Sequence, residues 1–125
     1  MSTIFIGMPA YNGERFIREA IESILSQTHA DWKLLISDDA STDNTAKIAQ
    51  EYTSRDRRIT YVRHPKNLGL FENFHFTLEK ADAPYFMWAS QDDVWEKDFI
   101  LTCLGYLESD SSLGLATTCN ATIDS

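Results

Sequence analysis

Nearly all-apolar runs alternate with amphipathic runs along this chain, and that alternation constrains its fold more than any other feature. Ile4-Phe5-Ile6-Gly7-Met8 reads as a strand buried on both faces and stopped by Pro9. Asn12 is placed to cap a helix whose apolar residues Phe16, Ile17, Ala20, Ile21, Ile24 and Leu25 keep a helical period. Lys33 to Ser37 is a second strand centred on Leu34, Leu35 and Ile36. Ser41 or Thr42 would cap a second helix carrying Ala46, Ala49 and Tyr52, with Asp43 in its first turn. Ile59 to Arg63 is a third strand, followed by a loop with Asn67-Leu68-Gly69. Leu70 to Lys80 is a third helix, with Leu70, Phe71, Phe74 and Leu78 on one side. After the break at Ala83-Pro84, Tyr85 to Ala89 supplies a fourth strand. Lys97 to Glu108 is a fourth helix burying Ile100, Leu101, Leu104 and Leu107, and Leu113 to Thr118 is a fifth strand.

Strand and helix alternate without an interior linker or repeat. That order predicts one α/β domain, a mostly parallel sheet with helices on both faces. Ligands of such sheets bind beyond the carboxyl ends of the strands, so the residues just after each strand are where function is expected. They are Pro9-Ala10-Tyr11-Asn12, Asp38-Asp39, Asn67 with Gly69, and Ser90-Gln91-Asp92-Asp93. Four carboxylates on one rim repel each other unless something positive lies among them. A hard cation shared between carboxylates and a diphosphate answers that need, and Mg²⁺ or Mn²⁺ suits oxygen ligands at an open site. Each acidic pair also has a plainer reading as a turn or helix-capping cluster. Adjacent strand residues point to opposite faces, so one member of each pair at most should meet a ligand.

The charge balance narrows the partners. Nineteen acidic against eleven basic residues give a formal charge of −8, which argues against a nucleic-acid surface. Arg55, Arg57 and Arg58 enclose Asp56 and read as a solvated helix end. Cys103 and Cys119 lack metal-ligand spacing and are expected as free buried thiols in a reducing compartment. No signal peptide opens the chain, and no stretch approaches the ~18 apolar residues of a membrane span. A cytoplasmic protein is expected, with a peripheral place at the inner membrane face left open.

The segments Ile6-Gly-Met-Pro-Ala-Tyr-Asn-Gly-Glu14, Ala20-Ile-Glu-Ser-Ile-Leu-Ser-Gln-Thr28 and Asp38-Asp-Ala-Ser-Thr-Asp-Asn-Thr45 resemble glycosyltransferase family 2. Asn67-Leu-Gly69 and Ser90-Gln-Asp-Asp-Val-Trp95 do so too, in the family's order and spacing over about the first 115 residues. The resemblance implies a GT-A fold that binds a nucleotide-diphosphate sugar with a divalent metal. It implies that Pro9, Ala10, Tyr11 and Glu14 border the base, that Asp39 accepts the ring N–H of uracil or thymine, and that Asn67 and Gly69 shape the nucleotide loop. Cytosine lacks that N–H and would leave the carboxylate unpaired. The family commonly shows Asp-x-Asp after the fourth strand, whereas this chain has Ser90-Gln91-Asp92-Asp93. Ser90 stands where a ribose-binding Asp is usual and is expected, with Gln91, to contact the nucleotide; Asp92 matches the metal ligand, and Asp93 is expected to support it or to substitute as a ligand.

The implied reaction is attack of an acceptor hydroxyl, saccharide or lipid-linked, on the donor's anomeric carbon. Cell-surface polysaccharide or glycolipid synthesis is the expected setting. No acidic residue after Asp93 is placed to act as its general base, which is expected beyond Ser125. The chain is therefore expected to be the donor-binding part of a longer protein, with a non-catalytic nucleotide-sugar-binding module as the alternative. A signalling receiver domain needs acidic residues where this chain has Met8-Pro9 and Arg63-His64-Pro65. A dinucleotide oxidoreductase needs a Gly-rich first turn, and Pro9 to Gly13 holds one glycine. His29, His64 and His75 read as surface or packing residues. Ser37 and Ser41 are expected to lack a histidine partner, so nucleophilic catalysis is not indicated.

Overall fold

The computed structural model of the protein describes residues 3–109. Its strands are β1 (Ile4–Ala10), β2 (Trp32–Asp38), β3 (Ile59–Arg63) and β4 (Tyr85–Trp88). Its helices are α1 (Ile17–Leu25), α2 (Thr45–Arg55), α3 (Leu70–Glu79) and α4 (Phe99–Ser109). The strands form one parallel sheet in the order β3-β2-β1-β4. The chain steps outward from β1 to β2 and β3, then returns to the other side of β1 for β4. That reversal opens a crevice at the carboxyl ends of β1 and β4, where ligands of such sheets bind. The expected fifth strand at 113–118 lies outside the described residues.

Both faces are covered, as the alternation predicts. Ile4, Ile6 and Met8 of β1, with Leu34 and Ile36 of β2, pack against Ile17, Ile21 and Ile24 of α1, Ile48 and Tyr52 of α2, and Ile100 and Leu104 of α4. Phe5, Leu35 and Phe86 point the other way, against Phe76 and Leu78 of α3. Leu101, expected in the core, is instead an exposed residue of α4. Cys103 is buried and disulfide-bonded rather than a free thiol, and Cys119 lies outside the described residues. The compartment argument from free thiols therefore does not carry over.

Pro9 does not end β1, which runs on to Ala10 opposite Asp38. The reason lies in the ladder. Gly7 turns its carbonyl toward β4, where it accepts the Ala89 amide at 2.9 Å, and Pro9 faces the same side two residues on. The β1–β4 pairing has stopped at Gly7 opposite Trp88, so no ladder bond is lost at the proline. Both expected caps are also reassigned. α1 begins at Ile17 without a side-chain cap, and Asn12 instead accepts the Thr42 amide at 2.8 Å. α2 begins at Thr45, whose amide and hydroxyl both donate to Asp43.

The third helix departs most from its sequence pattern. Asn73 and Thr77 are its buried residues, while Leu70 and Phe71 are 73% and 82% exposed. The apolar side lines an outer groove of about 510 Å³ together with His75 and Trp88. Polar residues face the sheet because β1 and β2 offer them specific partners. A Cβ on Gly7 would lie 2.5 Å from Thr77 Oγ1 and 2.6 Å from Thr77 Cβ, so the helix sits directly on the glycine. Trp88 Nε1 donates to Thr77 Oγ1 at 3.0 Å and fixes the same contact. Asn73 accepts from Ser37 Oγ at 2.6 Å and donates to the Ser37 carbonyl at 2.9 Å.

At the end of β2, Asp38 is wholly buried. One carboxylate oxygen accepts the Ser41 amide and hydroxyl at 2.9 and 2.5 Å, and the other accepts the Tyr61 hydroxyl at 2.5 Å. Arg63 stands 3.5 Å away and also donates to the Ser41 carbonyl. Burial, reinforced by the hydrogen bond to Asp38, pushes the Tyr61 phenol up to about 12.

Two outcomes follow from this packing. Gly7→Ala should destabilise the domain by about 1–3 kcal/mol through overpacking, read as a lower urea midpoint at unchanged slope. Tyr61→Phe should cost about 1–3 kcal/mol at neutral pH, because it strips a donor from a buried carboxylate. A phenol whose folded pKa exceeds its unfolded value contributes stability below the unfolded value and loses it as pH rises through the folded one. The gap between the unmodified chain and Tyr61→Phe should therefore narrow between about pH 10 and 12 in denaturation series.

Candidate functional site

A cleft of about 450 Å³ opens at the carboxyl end of the sheet, above β1 and beside β4. It is lined by Pro9, Ala10, Tyr11, Asp39, Asn67, Ser90 and Gln91, with Leu70, Asn73 and Phe74 from α3. Seven of the residues that the sequence assigns to a nucleotide thus meet in one place. Glu14, Gly69, Asp92 and Asp93 do not line it. Glu14 accepts the Asn44 amide at 3.2 Å and so joins the α1 approach to α2. The three α3 residues went unread because their sequence pattern pointed the apolar side of that helix toward the core. The usable signal was Gly69, which marks where the helix starts at the strand-end rim.

The wall after β2 is built around Asp39, which is 3% exposed. Its oxygens accept the Leu68 and Gly69 amides at 2.5 and 3.0 Å, and Asn67 Nδ2 donates to its carbonyl at 3.2 Å. Asp39 therefore holds the Asn67-Leu68-Gly69 loop against the cleft. Gly69 has φ of 95°, a backbone shape that favours glycine, and α3 begins at the next residue. Asp38 and Asp39 have opposite duties, as strand alternation requires. Asp38 points to β3 and the α2 approach; Asp39 points to the cleft rim. Ala40 follows with φ of 62°, which costs a non-glycine residue about 1–2 kcal/mol.

The loop after β1 is tied to the α2 approach. Asn12 N donates to Ser41 Oγ at 2.9 Å, Gly13 N to Thr45 Oγ1 at 2.8 Å, and Glu14 N to Asp43 at 3.2 Å. Burial works to raise the Asp43 carboxyl, but hydrogen bonds from Thr45 and from the Glu14 amide outweigh it and hold the group below the usual carboxylate range. Tyr11 stands at the mouth, 48% exposed, with its ring free to meet a flat ligand.

The acidic wall after β4 is a tight turn. Ser90 Oγ donates to Asp92 Oδ1 at 2.5 Å, and Ser90 N donates to Asp93 Oδ2 at 3.2 Å. The amide of Gln91 pairs with both backbone groups of Tyr11 across the cleft. No group of three or more His, Cys, Asp or Glu side chains able to hold a metal occurs among the described residues. An exposed Asp92 with a neighbouring Asp93 still fits a cation that takes one or two protein carboxylates and completes its shell with water and phosphate. Among the described residues, none that lines the cleft is cationic.

Beneath the floor, Ser37 does have a histidine partner, contrary to the sequence expectation. Its Oγ lies 2.8 Å from His64 Nε2. The pair is not a nucleophilic one, because the single Ser37 proton goes to Asn73 Oδ1 and His64 must then donate from Nε2. Ser37 is fully buried, so it meets no substrate. His64 also packs edge-on to Phe76 at 4.6 Å, and His75 faces Glu79 at 3.6 Å on the exposed side of α3. Trp95 is buried against Phe99 and stands away from the cleft. Among the described residues no helix is long and apolar enough to cross a membrane.

Comparison with known proteins assigns the chain to a family by its sequence. The family model "Glycosyl transferase family 2" matches residues 5–123. The chain is 38% identical over 90 residues to the putative teichuronic acid biosynthesis glycosyltransferase TuaG of Bacillus subtilis, covering 72% of this chain and 36% of that one. It is 33% identical over 121 residues to chondroitin synthase of Escherichia coli, covering 97% and 18% respectively. To the dTDP-rhamnosyl transferase RfbG of Shigella flexneri it is 35% identical, covering 80% and 36%. The chain thus spans about a third or less of the length of these relatives. Its fold matches Staphylococcus aureus TarS residues 1–349 in complex with UDP-GlcNAc, at a TM-score of 0.78 and 21% identity over 86% of this chain and 31% of that one. The mannosyltransferase PcManGT of Pyrobaculum calidifontis, in complex with GDP-Man and Mn²⁺, matches with a TM-score of 0.78 at 20% identity, over 85% and 32%. The α/β sheet with its strand-end cleft has the fold of GT-A glycosyltransferases, and the chain belongs to glycosyltransferase family 2.

Proposed function

We propose that this chain is the donor-binding part of a glycosyltransferase that takes a UDP- or dTDP-sugar together with Mg²⁺ or Mn²⁺. The observation that carries the reading is the cleft at the β1–β4 reversal, where Tyr11, Asp39, Asn67, Ser90 and Gln91 converge. Tyr11 offers a ring face for the base. Asp39 already accepts two loop amides, but a carboxylate has about four lone-pair sites and can take a base N–H as well. Uracil and thymine present that donor and cytosine does not. Ser90, Pro9 and Ala10 line the same cleft; Ser90 is proposed to meet the ribose, and Pro9 and Ala10 to border the base.

Charge requires a cation. Among the described residues the lining carries no positive side chain to set against a diphosphate, and Asp92 and Asp93 add negative charge nearby. A divalent ion held by Asp92, with Asp93 in support, would neutralise the diphosphate and stabilise it as it leaves. The residues of this chain bind and orient the donor. Among the described residues Asp39 is the one carboxylate in the lining, and it is committed to the Leu68–Gly69 loop; the general base and the acceptor site are proposed to come from outside this chain. The acceptor is proposed to be a saccharide or lipid-linked hydroxyl in cell-surface polysaccharide or glycolipid synthesis. Relatives named for teichuronic acid biosynthesis, chondroitin synthesis and dTDP-rhamnosyl transfer support that setting. A cytoplasmic location, with the inner membrane face as an option, remains part of the same proposal.

Titration calorimetry with the diphosphates of uridine, thymidine, guanosine and cytidine, with and without Mn²⁺, tests this. Metal-dependent binding of the uridine or thymidine compound is expected, and Asp92→Asn should weaken it by about 10–100-fold. Asp39→Asn, which replaces an acceptor by a donor, should erode the preference for uridine over cytidine diphosphate. Binding indifferent to both substitutions would overturn the site.

A further inference from the structure

We infer that Gln91 is a positioning residue that couples the base wall of the cleft to its metal wall, an inference that rests on the donor-binding reading above. The argument starts at Pro9. Alternation along β1 turns the peptide groups of Gly7 and Pro9, and of Tyr11 just beyond its end, to the β4 side, and the Gly7 carbonyl takes the Ala89 amide at 2.9 Å. β4 ends at Trp88, and Pro9 has no N–H to offer. At Tyr11 both backbone groups are paired again, but by a side chain. Tyr11 N donates to Gln91 Oε1 at 2.8 Å, and Gln91 Nε2 donates to the Tyr11 carbonyl at 3.0 Å. The amide of Gln91 therefore stands in for a peptide of a strand that has already stopped. Two bonds to one residue set both the position and the orientation of that amide.

Gly13 independently points to the same bridge. A Cβ at this position would lie 2.7 Å from Gln91 Cδ, and closer still to Oε1. The Gly13 backbone is itself held, its amide by Thr45 and its carbonyl by the Phe16 and Ile17 amides. The glycine leaves the space in which the Gln91 side chain reaches Tyr11.

The neighbours of Gln91 give the bridge its consequence. Ser90 and Asp92 flank it, and Ser90 bonds both Asp92 and Asp93. The turn that aims the carboxylates is thus pinned to the backbone of the residue that presents its ring to the base. Oε1 and Nε2 are each engaged with Tyr11, so Gln91 acts on a donor through Tyr11 on one side and Asp92 on the other. A glutamine between the acidic-motif residues was read from the sequence as a nucleotide contact; its geometry makes it a link.

Hydrogen exchange and calorimetry on the 125-residue chain test the inference, with uridine diphosphate and Mn²⁺ as probes. The Tyr11 amide should be protected in the unmodified chain and lose protection in Gln91→Ala and in Gly13→Ala, whose folds should persist. Both variants should bind uridine diphosphate with Mn²⁺ about ten-fold more weakly, the scale of one or two lost hydrogen bonds. Both should also lose part of the Mn²⁺-dependent gain in affinity and part of the preference over cytidine diphosphate. The double variant should be no worse than Gln91→Ala, since the two changes break one contact. Tyr11 exchange unchanged in Gln91→Ala would overturn the bridge. An equal loss with and without Mn²⁺, at unchanged base preference, would overturn the coupling and make Gln91 a simple contact. If the unmodified chain binds no nucleoside diphosphate, the donor-binding reading and the coupling fall together, while Tyr11 exchange still decides whether the bridge exists.

Discussion

Two carboxylates on consecutive residues, both withdrawn from water, govern the architecture around the cleft. A buried carboxylate is costly unless donors surround it, so Asp38 and Asp39 act as collection points for backbone and hydroxyl groups. Asp38 gathers Ser41, Tyr61 and Arg63, and through Ser41 reaches Asn12 in the loop after β1. Asp39 gathers Leu68 and Gly69 and thereby sets the entry to α3. Three loops far apart in sequence are tied to the end of one strand. Because strand neighbours point opposite ways, a single dipeptide serves the scaffold on one side and the ligand cleft on the other.

The position of α3 depends on a different constraint, a close approach at Gly7. Thr77 occupies the space where any larger residue would put its Cβ. That contact turns the polar side of the helix to the sheet, where Asn73 and Ser37 satisfy each other and His64 donates to the same hydroxyl. A polar network therefore lies beneath the cleft, and Asn73 reaches from it into the lining. The apolar side of α3 is left facing outward, with Leu70 and Phe74 shared between the cleft and the outer groove.

The acidic wall differs in kind. Asp92 and Asp93 each accept a bond from Ser90 in their own turn, and Asp92 is exposed. Such a site keeps coordination positions open for water and phosphate, which suits a metal brought in with its nucleotide rather than a permanent structural ion. The departure from Asp-x-Asp also has a local use, since a serine in place of the first acid supplies a donor that orients the remaining carboxylate. Proximity to chains complexed with UDP-GlcNAc or GDP-Man and Mn²⁺ lies in the fold alone.

The residues themselves determined the element order, the parallel sheet and most of the cleft, because burial periodicity and strand-end placement are properties of nearest neighbours in sequence. Strand β3 and the start of α3 sit where the pattern puts them, and Pro9, Ala10, Tyr11, Asp39, Asn67, Ser90 and Gln91 meet as the strand-end rule requires. Only the tertiary structure decided where polar side chains spend their hydrogen bonds. Asn12 and Ser41 each had a plausible local role as a helix cap, and each found a partner elsewhere: Asn12 meets Thr42 thirty residues on, and Ser41 takes the Asn12 amide, while Ser37, expected to lack a histidine partner, meets His64 and Asn73. The apolar stripe of α3 likewise yielded to a glycine on another element. Local pattern registers what a segment prefers in isolation, whereas buried donors and close-packed backbones are satisfied by whatever the completed fold brings within reach.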